Sequence, residues 1–145
     1  MFKTSLIASS IAALMLTAAI ATTAPADDAR AHFQAVGSGD MQVLMSGYAD
    51  PAQFNWVGGP LDGLYATSDA IRGVWTKFTQ SQGLMKVSIN QLEESINPKG
   101  ATLSANVLYE GKSPIKVRYV LTYREGRIVS ETWQIDPKLV IAAAY

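Results

Sequence analysis

The sequence predicts an α+β fold in which a curved antiparallel sheet carries helices on one side. Three observations lead there. From Ala101 to Asp136 three alternating runs follow one another, broken by Glu110-Gly111-Lys112-Ser113-Pro114 and by Glu125-Gly126. In the middle run Ile115, Val117, Tyr119, Leu121 and Tyr123 share one parity, while Lys116, Arg118, Thr122 and Arg124 take the other. That period of two marks a strand with one face on a core and one in water. The short Gly-containing breaks read as hairpin connections, so the runs form a meander with a greasy concave side. Upstream, apolar residues recur at helical spacing, as material to cover that side.

Taken in order, Asp27 to Val36 opens with acids and carries Ala29, His32, Phe33 and Val36 on one stripe, a first helix closed by Gly37-Ser38-Gly39. Asp40 is placed to cap a second helix with Met41, Leu44, Met45 and Tyr48 as its stripe, stopped by Asp50-Pro51. Gln53 to Val57 is a short strand, and Gly58 to Gly63 a turn-dense loop. Thr67 or Ser68 caps a third helix bearing Ile71, Val74, Trp75 and Phe78, ended by Gly83. Leu84 to Ile96 is a longer strand whose alternation breaks near Gln91-Leu92-Glu93, the mark of a bulge. Two helices, a strand, a helix and four antiparallel strands make an α+β layout.

The chain of 145 residues predicts one domain, and 48% hydrophobic with 17% charged residues is an ordinary globular composition. Its net charge is zero and no Lys/Arg cluster offers a track for phosphates, which argues against nucleic acid as a partner. The absence of cysteine excludes disulfides, thiolate nucleophiles and Cys-ligated zinc. One histidine leaves no usable zinc set, and Asp27-Asp28 and Glu93-Glu94 read as solvated pairs, so neither a metal nor a cofactor is expected. Lys3, the apolar and small-residue run Leu6–Ala21, and Ala24-Pro25-Ala26 follow the order of a secretory signal cleaved after Ala26. The run is short of the ~20 apolar residues that a membrane span prefers. The expected organisation is a signal peptide over 1–26, a domain over 27–137 and a tail over 138–145, exported to the periplasm or beyond, with no membrane attachment after cleavage.

Gly39-Asp40, Tyr48-Ala49-Asp50 with Ala52, the loop from Gly58 to Tyr65, Asp69-Ala70-Ile71 with Arg72, and Glu125-Gly126-Arg127-Ile128-Val129 resemble the SnoaL-like branch of the nuclear transport factor 2-like superfamily. The resemblance implies a cone-shaped α+β barrel, with three helices from the N-terminal half on the concave side of its sheet, an internal pocket and a homodimer. The superfamily holds isomerases, dehydratases, cyclases and hydrolases beside non-catalytic binding modules, so the fold alone does not give the activity. Registered on the same motifs, the carboxylate base of the ketosteroid isomerases falls on Trp56, their first-helix tyrosine on His32 and their oxyanion-binding aspartate on Tyr119. Trp56 cannot abstract a proton, which disfavours steroid isomerisation.

Glu131 is the sharpest chemical candidate, because alternation through Val129, Glu131, Trp133 and Ile135 aims its carboxylate inward. An ionised carboxylate in a dry interior costs several kcal/mol, so it must be hydrogen-bonded, protonated or solvated in a cavity. A desolvated carboxylate suits general acid–base work, with His32 as its partner. The competing reading pairs Glu131 with a Tyr or Arg, or turns it outward at a bulge. Tyr109, Tyr119, Trp56 and Trp133 are the expected pocket lining, with core packing as the alternative. The first functional expectation is a binding module for a small apolar or aromatic ligand. The second is a cofactor-independent lyase, isomerase or hydrolase using Glu131 and His32. The third is a structural dimer module whose cone is filled by its own side chains.

Overall fold

The computed structural model describes residues 23–141, so residues 1–22 of the expected 1–26 leader and the last four residues of the tail lie outside the described residues. Three helices, α1 (Pro25–Ser38), α2 (Met41–Ser46) and α3 (Ser68–Gln82), accompany six strands: β1 (Tyr48–Val57), β2 (Gly63–Tyr65), β3 (Lys86–Asn97), β4 (Gly100–Glu110), β5 (Pro114–Arg124) and β6 (Arg127–Ile135). The sheet order is β2-β1-β6-β5-β4-β3. The α+β class and the placement of the helices in the N-terminal half are as expected. Two features differ: the sheet is mixed, because β1 pairs parallel with β6, and it stays open at β2 and β3 instead of closing into a barrel.

Helix caps form where the sequence places them. The Asp40 carboxylate accepts from Val43 N–H at 3.1 Å, and the Thr67 hydroxyl accepts from Ala70 N–H at the same distance. α1 begins at Pro25, two residues before the expected start, with proline in the first turn, where its missing N–H costs nothing. α2 ends earlier than its stripe suggests. Tyr48 belongs to β1, because Gly47 C=O accepts Ile128 N–H at 2.8 Å and draws the chain alongside β6. Pro51 then sits where the β1–β6 register shifts, a break in the ladder that needs no N–H from it.

In the meander β4, β5 and β6 bury alternate residues. The bulge expected near Gln91 is present: the β3–β4 register shifts between Asn90 and Glu93, Gln91 has φ 51°, and Asn106 Nδ2 donates to Gln91 Oε1 at 2.7 Å. A second irregularity lies in β6, and unlike the bulge of the competing reading it leaves Glu131 facing inward. Tyr123 pairs with Ile128 and Thr122 with Ser130, so Val129 is the extra residue and Ile128 replaces it on the inner face. Of the tail, Leu139 is buried and Val140 exposed.

Candidate functional site

The interior is divided along β6. Toward the β5–β6 turn, Glu131 is fully buried and both carboxylate oxygens are engaged. Oε1 accepts the Tyr48 hydroxyl at 2.8 Å, and Oε2 is in a short hydrogen bond with His32 Nε2. Trp75 Nε1 donates to the Tyr48 oxygen at 2.8 Å, so α1, β1, α3 and β6 each contribute one member to a linear polar chain. The carboxylate is thus hydrogen-bonded, one of the ways an acid can exist in a dry interior. Burial, and then the neighbouring carboxylate, push the Tyr48 hydroxyl well above the usual phenol range, which keeps it a donor.

Beyond Glu131 the cone is occupied. Trp133 stacks on Tyr109 at 5.4 Å between ring centroids, meets Tyr119 edge-on at 5.3 Å and lies 4.6 Å from Trp56. Phe33 covers Tyr119 at 4.5 Å, and the Tyr109 and Tyr119 hydroxyls hydrogen-bond to each other at 2.8 Å. Tyr109, Tyr119 and Trp133, expected as pocket lining with core packing as the alternative, are fully buried in this aromatic slab. Such ring pairs are worth about 0.5–1.5 kcal/mol each beyond their buried area, so the slab is a strong reason for the cone to stay filled.

Trp56 differs. It is nearly buried, yet it borders a cavity of about 280 Å³ at the cone's mouth, shared with Leu61, Phe78, Gln82, Ile115 and Ile135. Its Nε1–H has no hydrogen-bond partner, and neither has the buried Oε1 of Gln82 on the same cavity. Of the expected site residues, then, the structure brings His32 and Glu131 together, leaves Trp56 at an opening and places Tyr109, Tyr119 and Trp133 between them. Tyr48 was missed because its spacing from Leu44 and Met45 fits a helix stripe. Gly47, a helix stop just ahead of Asp50-Pro51, was the signal available. Among the described residues no group of three or more His, Asp or Glu gathers as metal ligands, and no helix is long and apolar enough to cross a membrane.

No protein-family model and no curated protein matches the sequence. Solved structures do match. Bal32a, from a soil-derived mobile gene cassette, is 17% identical over 77% of this chain and 88% of its own, with a TM-score of 0.63. An NTF2-like protein of unknown function from Pseudomonas putida KT2440 is 18% identical over 74% of this chain and 81% of its own, with a TM-score of 0.64. A ketosteroid isomerase-like protein from Erwinia carotovora atroseptica SCRI1043 is 14% identical over 75% and 91%, with a TM-score of 0.61. The fold is nuclear transport factor 2-like. At these identities the likeness concerns the nuclear transport factor 2-like backbone, and the chemistry rests on this chain's own side chains.

Proposed function

We propose that this protein binds a small apolar or aromatic molecule bearing one polar end, held at the mouth of the cone against Trp56. The observation that carries this reading is the unpartnered Trp56 N–H on an apolar cavity, with the Gln82 amide nearby. A buried donor without a partner costs about 1–3 kcal/mol, and a ligand oxygen placed there recovers it. The apolar walls supply area, and the two polar atoms fix orientation. Export belongs to the same proposal and rests on the basic, apolar and small-residue order of 1–26.

The acid–base reading has one observation in its favour, the buried His32–Glu131 hydrogen bond. Both Glu131 oxygens are already taken, which favours a supporting role. The filled-cone reading has the aromatic slab in its favour, and the mouth cavity separates it from the binding reading. The test is titration with 2-naphthol, followed by tryptophan fluorescence. Saturable quenching that weakens about tenfold in Leu61→Trp, which fills the cavity, is the expected outcome. Quenching that never saturates supports the filled cone, and a bell-shaped rate profile removed by Glu131→Gln supports the enzyme.

A further inference from the structure

The structure points to a second ligand site, at the opposite end of β6 from the mouth. We infer that a cavity of about 240 Å³ bordered by His32, Gly47, Tyr123 and Ile128 takes a small neutral molecule presenting a hydrogen-bond donor beside an acceptor, such as a primary amide or an alcohol. Two of the residues bordering the cavity hold a buried polar atom without a partner, Nδ1 of His32 and the hydroxyl of Tyr123. Both residues are more than nine-tenths buried, so neither has bulk water as a substitute.

Glu131 engages Nε2 of the imidazole, which leaves Nδ1 as the free nitrogen. The proposal uses the neutral tautomer that donates Nε2–H to Glu131, in which Nδ1 is a lone-pair acceptor. Nδ1 lies 3.9 Å from where a Cβ on Gly47 would stand, so the missing side chain of Gly47 is what opens space in front of it. Burial raises the Tyr123 hydroxyl above the ordinary phenol range, so it remains a donor. An amide matches this pair, its N–H toward Nδ1 and its oxygen toward Tyr123. The surrounding charges favour a neutral occupant. The Asp28 carboxylate, already accepting the Thr23 hydroxyl at 2.5 Å, borders the cavity. The Arg127 guanidinium lies nearby, 3.4 Å from the Ser46 carbonyl and 3.5 Å from that of Tyr48. Glu131 behind the ring adds a carboxylate that opposes an anion.

Water is the competing occupant, since a cavity of this size has room for several molecules. His32 is the single histidine of the chain, so imidazole nitrogen NMR reports on this site without assignment. Titrating the purified protein with propionamide is expected to shift the Nδ1 resonance saturably, while sodium acetate at equal concentration leaves it unsaturated. Tyr123→Phe should weaken the propionamide response about fivefold, the loss of one hydrogen bond. Gly47→Ala should weaken it about tenfold or more, and its Cβ meets its neighbours at 3.6 Å or beyond on a right-handed helical backbone, so the fold accommodates it. A response that never saturates assigns the cavity to water and overturns the proposal. A response untouched by both variants, or lost in Leu61→Trp, places propionamide elsewhere and overturns it equally.

Discussion

The two ends of β6 make opposite use of the same alternation. At one end Trp133 and Ile135 join rings and aliphatic side chains into a slab with an apolar cavity at its edge. At the other, Glu131 takes a core position and must be surrounded by donors, so Tyr48, His32 and Trp75 are recruited from three other elements. Apolar packing needs volume and tolerates approximate partners, whereas a buried carboxylate needs named atoms at fixed distances. The polar end is therefore more specified than the apolar end, and more sensitive to single changes.

Alkali breaks the comparison most severely, because tyrosines belong to both ends. Tyr48, Tyr109, Tyr119 and Tyr123 all have folded-state pKa values raised above the ordinary 10, burial being the first cause in each. Unfolded chains lose these protons near pH 10 while the folded protein keeps them. Stability is therefore intact below pH 10 and falls above it, by about 1.4 kcal/mol per pH unit for each tyrosine. The phenolate absorbance of these four should rise together with loss of circular dichroism. Ionisation in the intact fold would show that burial does not hold them.

At the polar end, Glu131→Ala leaves His32 and Tyr48 facing an empty place and should cost about 3–5 kcal/mol in denaturant unfolding. Glu131→Gln keeps an acceptor for Tyr48 and should cost about 1–2 kcal/mol. Equal costs would mean that the carboxylate is not what its neighbours require. Next comes Gly100→Ala, since a Cβ there would stand 2.2 Å from the Tyr123 carbonyl oxygen at φ +155°. That backbone contact cannot rotate away, and a loss of about 1–3 kcal/mol is expected by thermal melting. The mildest change belongs to the apolar end. Trp56→Phe removes the orphan N–H while keeping a ring, so unfolding should move by less than about 1.5 kcal/mol while 2-naphthol affinity drops.

Much of this was legible in the sequence. The parity of β5 and the inward aim of Glu131 follow from alternation alone, because a strand has two faces and a helix pattern cannot imitate five matched positions. Pairing of His32 with Glu131 was within reach for the same reason, since each lay on an apolar face. The share of Tyr48 was not, because strand pairing with β6 overrode a local helical spacing. Nor was Val129, as the extra residue of a bulge is fixed by the partner strand's register. The filled interior was the least accessible feature. The ten buried Phe, Tyr and Trp side chains are compatible in sequence with lining a cavity or with closing it, and volume decides between the two.

The parallel pairing of β1 with β6 has a consequence for how the chain matures during synthesis. His32 and its carboxylate stand 99 positions apart, and the strand that follows the first two helices has its central neighbour at the far end of the polypeptide. A nascent chain stopped before Arg127 carries the first half with an imidazole, a phenol and a whole strand edge lacking their counterparts. Pairing of β1 and of the His32 and Tyr48 side chains therefore waits for the last strand to emerge, and truncation there should leave a species open to proteases from both sides of the gap.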